Sequence, residues 1–458
     1  MKFNSINIVV IIVMIAVTLS ACEKFLDIEA PKDSIIESEI FKSDDVATSA
    51  LTGIYSKMAL SGYASGGNTS ISISCGLAAD ELTGYNATRD FYENEIPTAN
   101  TTIATSMWQG LYHSIYTSNA IMEGMTASNG LTPSVKRQLE GEALFVRAFA
   151  NFYLVNLFGS VPLNLTTDHR INQTTYRKPV KEVYDQIIID LSKAEGLLEE
   201  NYITIERIRP NKSAAQALLA RVYLYLKDWE NAEMYASLVI AKTSSYQLLD
   251  LDQIFLKNSQ EAIWQLMPTV GGNTSDGNIL ILTATPTTAS LNADFALNAF
   301  EMGDKRKGAW VKIYTNTTGT YYYPFKYKVK SSINITEYSM VMRLAEQYLI
   351  RAEARAHQNK LANSIEDVDK IRARAGLSLI KDVNPTIGQT DLLDVIQNER
   401  RIELFSEWGH RWFDLKRTGK INQVLSTVKP KWQATDASFP IPKTEIDRNP
   451  NITQNDGY

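Results

Sequence analysis

The stretch NKSAAQALLARVYLYLKDWENAEMYASLVIA, residues 211–241, decides the fold. Its apolar residues recur at three- and four-residue spacing, which places them on one face of each of two successive helices. Lys227 and Asp228 stand between the two patterns, where a turn is expected. Small side chains on the facing sides let the helices approach closely, so the stretch predicts a tight helical hairpin. The facing positions are Leu219, Ala220 and Tyr223 on the first helix and Ala232 and Ala236 on the second.

Other segments repeat this helical pattern on both sides of the hairpin. A second hairpin is predicted over Leu344–Gly376, and a long helix is predicted from Asp391 to Leu415. Hairpins of this tetratricopeptide-like kind stack so that each one buries the face that its neighbour leaves open, and the stack has an extended concave surface. The expected fold is therefore mainly α, with tetratricopeptide-like helical hairpins forming a right-handed α-α superhelical scaffold. Further amphipathic helices are predicted over residues 108–122, 132–159 and 180–198.

Two long stretches between the helices have a different character. Residues 61–106 and 243–340 are rich in Gly, Ser, Thr, Asn and Tyr, and loops of this length are uncommon unless they serve a function. In the second stretch, residues 321–330 alternate between two sets of side chains, which predicts a half-buried strand with Tyr322 on its exposed face. We therefore expect long decorated loops and a few short strands on the helical scaffold.

The first residues have the pattern of an export signal. Lys2 is the only charge before an apolar run from Ile8 to Val17, and Leu-Ser-Ala-Cys at residues 19–22 resembles the bacterial lipobox. We predict that residues 1–21 are a lipoprotein signal peptide and that Cys22 carries diacylglycerol and a further acyl chain such as palmitate. Each buried methylene contributes about 0.8 kcal/mol, so more than one chain gives stable attachment. A membrane span is the alternative, but the run is shorter than the roughly 20 residues that a span needs.

Composition and charge indicate a folded body with no nucleic-acid partner. The chain has 44% hydrophobic and 21% charged residues and a net charge of -5, which suits a globular core and disfavours binding to a polyanion. We expect residues 22–458 to form a single domain with two halves, 22–242 and 243–458. Cys75 is the only cysteine besides Cys22, so no intramolecular disulfide is expected, and Cys75 is interpreted as a buried apolar side chain.

The sequence shows no constellation typical of catalysis. Its four histidines lack partners at the spacing of a zinc site, and no nucleophile elbow or phosphate loop is present. Neighbouring acids such as Asp80 and Glu81 are interpreted as solvated pairs, because a glycosidase normally draws its two carboxylates from different elements. The charged run from Asn398 to Lys420 is interpreted as ion pairs that fix helix ends, since Glu399 and Glu403 stand four residues apart. We expect no enzyme, no cofactor and no catalytic metal; a structural calcium ion is left open.

Five blocks of sequence carry a resemblance to a known family. They are Cys22–Asp27 (CEKFLD), Gly141–Pro162 (GEALFVRAFANFYLVNLFGSVP), Arg343–Ala354 (RLAEQYLIRAEA), Glu399–Gly419 (ERRIELFSEWGHRWFDLKRTG) and Phe439–Tyr458 (FPIPKTEIDRNPNITQNDGY). With these blocks the chain resembles the SusD/RagB family of outer-membrane nutrient-uptake lipoproteins of Bacteroidetes. The resemblance implies a lipid-anchored protein on the outer membrane, facing the cell exterior. It would hold a glycan or peptide, open like a lid, and deliver that cargo to a SusC-like TonB-dependent transporter.

Loop residues are expected to form the binding site. Sugar rings present apolar C–H faces and hydroxyl rims, so a cleft needs exposed aromatic side chains beside acids, amides or arginine. Members of such a family differ in their loops, so the positions are chosen on chemistry and not carried over from the resemblance. Three functions stay open: a glycan-binding importer component, a peptide-binding one of the same build, and a glycoside hydrolase or other surface enzyme. The predicted ligand-binding residues are Asp80, Glu81, Tyr85, Arg89, Tyr92, Asn278, Trp310 and Tyr322.

Overall fold

The computed structural model describes residues 40–60, 62–269 and 272–458. The predicted signal peptide and the lipidation site Cys22 lie outside the described residues and stay predictions. Nineteen α-helices lie in the described part of the chain and confirm the mainly α, tetratricopeptide-like fold. None of these helices is long and apolar enough to cross a membrane. In chain order they are α1 Asp44–Leu60, α2 Ile71–Ala78, α3 Arg89–Glu93, α4 Gly110–Ala127, α5 Pro133–Phe158, α6 His169–Asn172, α7 Val180–Leu197, α8 Lys212–Leu226, α9 Trp229–Ile240, α10 Ser275–Leu280, α11 Ala293–Asn298, α12 Lys305–Trp310, α13 Leu344–His357, α14 Leu361–Ala375, α15 Ile380–Val383, α16 Gln389–Glu403, α17 His410–Arg417, α18 Ile421–Val428 and α19 Lys443–Arg448.

Eight short strands lie among the same residues and pair antiparallel in three small sheets. They are β1 Leu82–Gly84, β2 Val161–Pro162, β3 Arg177–Lys178, β4 Ala262–Leu266, β5 Ala289–Leu291, β6 Val311–Asn316, β7 Gly319–Pro324 and β8 Ser339–Arg343. The largest sheet has four strands in the order β1-β5-β7-β6, while β2 pairs with β3 and β4 with β8. The four-stranded sheet therefore joins the two long segments that the sequence marks as loops.

Helix α5 lies at the centre of the core. It begins at Pro133 and ends before Gly159, within the bounds that the sequence predicts, and its C-terminal part is almost fully buried. Phe145 and Phe149 contact Trp264 of β4 edge-on, with ring centroids 5.1 and 5.2 Å apart. Helices α4 and α7 pack on either side of it. Helix α5 therefore connects the helical frame to the small sheets.

Both predicted hairpins are present. In the first, the side chains of Asn211 and Asp228 cap α8 and α9, and Lys227 between the helices has a left-handed φ of 60°. The second consists of α13 and α14, and Ser364 Oγ donates to the carbonyl of Ala352 across it at 2.7 Å. Helix α9 packs against α13. The two hairpins are therefore stacked as helical repeats are.

The single long helix predicted over residues 391–415 is wrong, because the chain breaks between α16 and α17. Ser406, Trp408 and Gly409 in the break have φ values of 56°, 46° and 72°, which no α-helix accommodates. The break turns the indole of Trp408 into the core, where its Nε1 donates to the carbonyl of Met340 at 2.8 Å. The amphipathic pattern continues across the break, so the sequence alone does not show where the helix ends.

Buried ion pairs hold the chain in place at this break. They confirm that the charged run from Asn398 to Lys420 forms ion pairs that fix helix ends. Arg343 binds Glu403 at 2.7 Å and Glu407 at 2.8 Å, and Asp414 binds Arg417 at 2.7 Å. All of these side chains are buried. Buried charges are costly unless they are paired, so Arg343 holds the start of α13 against the end of α16 and the break that follows it.

The long segments contain regular structure rather than continuous loop. Residues 61–106 include α2, β1 and α3, and residues 243–340 include strands β4 to β7 and helices α10 to α12. The strand predicted at 321–330 is confirmed only for β7, which ends at Pro324. The expectation that Tyr322 lies on an exposed face is wrong: it pairs with Leu291 of β5 and packs half-buried against the core.

Candidate functional site: a tyrosine surface

Three tyrosines gather around one face of the four-stranded sheet. Tyr314 of β6 pairs in register with Tyr321 of β7, so both side chains project to the same face. Tyr85 follows β1, and its ring meets that of Tyr321 edge to face with centroids 6.5 Å apart. All three residues are half-buried, which leaves part of each ring accessible. We call Tyr85, Tyr314 and Tyr321 the tyrosine surface.

The turn between β6 and β7 places polar groups beside Tyr321. Asn316 Oδ1 accepts a hydrogen bond from the backbone N–H of Thr318 at 2.9 Å, and its Nδ2 donates to Thr285 Oγ1 at 2.8 Å. Thr318 Oγ1 lies 3.1 Å from the hydroxyl of Tyr321. The turn is thereby tied to the Thr-rich loop before β5, and amide and hydroxyl groups form a rim around the rings.

The segment after β1 closes the other side of the surface. The backbone N–H of Tyr85 donates to the carbonyl of Thr288 at 3.2 Å, and the Tyr85 hydroxyl lies 3.0 Å from Ser290 Oγ. Asn86 and Arg89, which follow Tyr85, are exposed. The Tyr85 ring is therefore held in place, while an amide and a guanidinium next to it stay open to solvent.

This arrangement suits a neutral ligand with apolar faces and hydroxyl edges. Aromatic rings offer surfaces to the C–H groups of a sugar, and the rim offers hydrogen-bond donors and acceptors. Partial burial raises the pKa of Tyr85, so its hydroxyl stays protonated at neutral pH and both donates and accepts. The surface therefore offers a ligand both aromatic faces and hydrogen-bonding groups.

The predicted site residues Asp80 and Glu81 are buried. Asp80 binds Arg401 at 2.8 Å and Arg411 at 2.7 Å; burial raises the pKa of its carboxyl, but the two guanidinium groups outweigh burial and lower it. Glu81 accepts from the backbone N–H of Ser406 at 3.2 Å, and burial raises its pKa to about 8. Neither carboxylate is open to solvent or to a ligand in this structure, so the interpretation as a solvated pair is wrong and the expectation that they face a cleft is corrected.

Trp310 is also placed differently from the expectation. Its side chain is 0% exposed, its Nε1 donates to the carbonyl of Leu251 at 3.0 Å, and Lys326 Nζ lies 4.8 Å from its ring centroid. The chain turns from α12 into β6 at this residue, and the indole fixes that turn to the core. Trp310 therefore offers no ring face to a ligand here, and the expectation that it forms an exposed platform is wrong.

Arg89 and Tyr92 lie on α3, next to the tyrosine surface, whereas Asn278 is exposed on α10. Arg89 pairs with Glu93 one turn later, and both are solvent-accessible. Tyr92 is half-buried, with Lys429 Nζ 4.0 Å from its ring centroid; burial lowers the pKa of Lys429 to about 7. Of the predicted residues, the structure thus brings Tyr85, Arg89 and Tyr92 together.

Sequence reasoning missed Tyr314, Tyr321 and the polar rim. The alternation of side chains over residues 321–330 placed Tyr321 on the buried face of the predicted strand. Only the pairing of β6 with β7 shows that Tyr321 lies beside Tyr314. The turn sequence Asn-Thr-Thr-Gly at residues 316–319 is the signal that could have located this hairpin. Once the hairpin between β6 and β7 is located, the residue-by-residue pairing of the two strands follows from its turn.

A metal site is not evident in the part of the chain that the structure describes. Within it, no group of three or more His, Cys, Asp or Glu side chains is placed to hold an ion. Cys75 is a buried free thiol, as predicted, and burial raises its pKa well above the usual range.

The fold is that of a helical-repeat protein. The model of the family described as "SusD family" matches residues 298–458, and the model described as "Starch-binding associating with outer membrane" matches residues 24–224. The chain belongs to the SusD family, as its sequence blocks suggested. The two matches leave only residues 225–297 between them uncovered.

Similar proteins agree with this assignment. The starch-binding protein SusD of Bacteroides thetaiotaomicron is 24% identical over 432 residues, which covers 72% of this chain and 75% of that protein. A SusD superfamily protein from Bacteroides vulgatus has a TM-score of 0.80 at 22% identity, with 91% of this chain and 99% of that chain covered. A laminarin-binding SusD-like protein has a TM-score of 0.74 at 22% identity, with 90% and 99% covered. These structures share the fold of this chain.

Proposed function

We propose that this protein is a lipid-anchored, cell-surface binding protein that captures a glycan at the tyrosine surface and delivers it to a SusC-like TonB-dependent transporter in the outer membrane. The observation that carries the proposal is the cluster of half-buried tyrosines rimmed by threonine hydroxyls and an asparagine amide. The family supports it, since one matching family model is described as starch-binding and a structural neighbour as laminarin-binding.

Binding rather than bond cleavage follows from the chemistry of this surface. A glycosidase requires two accessible carboxyl groups roughly 5 to 9.5 Å apart across one cleft. Asp80 is engaged by two arginines and Glu81 is 1% exposed, so the two acids that precede Tyr85 are committed to the fold. Affinity and positioning are then what the protein supplies, and the transporter supplies the passage.

The membrane anchor in this proposal is Cys22. More than one acyl chain on this residue would hold the protein at the surface without a membrane-spanning helix. We further propose Arg89 and Tyr92 as contributors to the site, because they adjoin Tyr85 on α3.

Binding of purified protein to a panel of polysaccharides and oligopeptides tests the function. We expect saturable binding to a glycan, and we expect the double substitution Tyr85→Ala and Tyr321→Ala to weaken it by about 10- to 100-fold, because each ring contributes on the order of 1 kcal/mol. Isothermal titration calorimetry measures the affinity, and circular dichroism verifies that the variant is folded.

Tyr176→Ala is the matched control, since Tyr176 is 56% exposed and lies outside the tyrosine surface. Its affinity should equal that of the wild type. Saturable binding to oligopeptides alone would support the peptide-binding alternative instead. Unchanged glycan affinity in the double variant would remove the tyrosine surface from the proposal.

The transporter partnership is tested by extraction of the native protein in mild detergent. We expect a large β-barrel protein to co-purify with it in fixed proportion, because a cap must stay seated on its channel to deliver cargo. Mass spectrometry identifies the partner. Recovery of this protein alone, from an inner-membrane fraction, would contradict the partnership.

A further inference from the structure

A cavity of about 500 Å³ opens between α4, the segment after β2, and the C-terminal helix α19. None of its lining residues belongs to the tyrosine surface. Small-molecule pockets in proteins have volumes of roughly 300 to 1,000 Å³, so this cavity is large enough for a ligand of one or two sugar rings. Neither the family assignment nor the sequence analysis gives it a role.

One wall of the cavity is aromatic. The rings of Trp108 and Tyr112 lie 5.0 Å apart between centroids, and the Tyr112 hydroxyl donates to the carbonyl of Pro162 at 2.7 Å, which fixes this ring. Tyr116, one helical turn further along α4, is 51% exposed. Its ring is therefore an aromatic surface at the cavity that the fold itself does not cover.

The opposite wall carries amides and is held in shape by hydrogen bonds. Asn119 Nδ2 donates to the carbonyls of Asn164 at 3.1 Å and Thr166 at 3.4 Å, and Asn172 Nδ2 donates to Thr166 O at 2.8 Å. Asn164 and Asn172 each retain a buried Oδ1 with no hydrogen-bond partner. Both residues line the cavity, so the wall has unused acceptor capacity.

The acid and the arginine that line the cavity pair with each other. Glu445, on α19, pairs with Arg448 at 3.4 Å. Partial burial, with the neighbouring charge of Lys57, lowers the pKa of His113 on α4, so this imidazole is neutral at pH 7. These features match a neutral polar ligand and not an ion.

We propose that this cavity is a second saccharide-binding pocket, with Tyr116 as the platform for one ring of a neutral mono- or disaccharide unit and the asparagine wall as its hydrogen-bonding partner. This second pocket rests on the proposed function only for the class of ligand, a saccharide, because none of the residues that line the cavity belongs to the tyrosine surface. Two such sites on one molecule would hold a polysaccharide at two points, which raises its effective affinity.

The test uses maltose, laminaribiose, cellobiose, xylobiose and mannobiose with purified full-length chain carrying Cys22→Ser. Saturation-transfer NMR and calorimetry are applied to this protein, to the Tyr85→Ala and Tyr321→Ala double variant, and to Tyr116→Ala. We expect at least one disaccharide still to bind the double variant saturably, because the cavity is intact in it. Tyr116→Ala should weaken that binding by about tenfold or more, and Tyr116→Phe, which keeps the ring, should retain it.

The outcomes separate the two sites. Loss of all disaccharide binding in the double variant overturns the second pocket and leaves the tyrosine surface as the glycan site, and equal affinity in Tyr116→Ala also overturns the pocket. Loss in Tyr116→Ala with retained binding in the double variant supports the pocket, and the tyrosine surface is then judged by polysaccharide binding to the double variant. If no disaccharide of the panel binds the unsubstituted protein, the pocket as proposed is overturned, and binding of an oligopeptide at Tyr116 would do the same.

Discussion

Glu81 couples the stability of the fold to pH. One of its oxygens accepts a single backbone N–H and the other is buried with no partner, so burial raises its pKa to about 8, against about 4.3 in an unfolded chain. Between these values the folded protein holds a proton that the unfolded chain has released. The free energy of unfolding therefore falls as pH rises through this window, by up to about 1.4 kcal/mol per pH unit, and this contribution levels off above the folded pKa.

Glu81→Gln removes this titration. We expect the free energy of unfolding of the variant to decline less than that of the wild type between about pH 5 and pH 8, as measured by urea unfolding at a series of pH values. Glu366→Gln is the control, because Glu366 is an exposed acid and its curve should run parallel to the wild type. Parallel curves for Glu81→Gln as well would show that the carboxyl is not buried in solution.

Asp80 and Glu81 show why the ligand-binding residues could be predicted only in part from the sequence. Asp80 and Glu81 look exposed in a polar, Thr- and Asn-rich segment, but their partners Arg401, Arg411 and Ser406 lie more than 300 residues later. Nothing in the local sequence reveals such partners. Tyr85 was chosen from the same polar segment, and its ring is half-buried; its role in a ligand site stays a prediction.

At the scale of elements, the break between α16 and α17 depends on one glycine. Gly409 has φ 72°, and a Cβ placed there would lie 2.7 Å from the Cβ of buried Cys75. We expect Gly409→Ala to lower the free energy of unfolding by about 2 kcal/mol or more, from backbone strain and overpacking together. Thermal and urea unfolding measure the loss.

Gly308→Ala is the matched control for this substitution. Gly308 lies in α12, and no heavy atom lies within 4 Å of where its Cβ would be, so the change should be neutral or stabilising by up to about 1 kcal/mol. Equal stability of the Gly409→Ala and Gly308→Ala proteins would mean that the left-handed turn at Gly409 is not required.

The elements themselves were largely predictable, and their interruptions were not. Helices α5, α7, α8 and α9 follow a period of 3.6 residues, and local signals mark several of their ends: Pro133 begins α5, and the side chains of Asn211 and Asp228 cap α8 and α9. The turn at residues 404–409 is imposed by ion pairs and by Trp408 packing against distant parts of the chain. Strand pairing likewise joins residues that are distant in the sequence. The positions that form the tyrosine surface are therefore known only once the sheet is assembled.

At the scale of the whole molecule, the halves expected over residues 22–242 and 243–458 are joined by polar contacts in the core. Arg221 of α8 binds Glu346 of α13 at 2.7 Å with both side chains 1% exposed, and β1 from the first half pairs with β5 from the second. The tyrosine surface is built across this join, since Tyr85 comes from one half and Tyr314 and Tyr321 from the other. A binding site made this way requires both halves to be folded together.

Attachment of this molecule to a membrane is predicted to depend on Cys22 alone. Acyl chains contribute about 0.8 kcal/mol for each buried methylene, so a doubly or triply acylated residue 22 is held firmly and an unmodified one is not. We expect Cys22→Ser to move the protein from the membrane pellet to the soluble fraction of the producing cells, as measured by fractionation and immunoblotting. Cys75→Ala is the control, because Cys75 is a free cysteine inside the fold and its loss should leave the protein in the pellet. A Cys22→Ser protein that sediments with the membrane as the wild type does would mean that another feature, such as tight docking on a transporter, supplies the attachment.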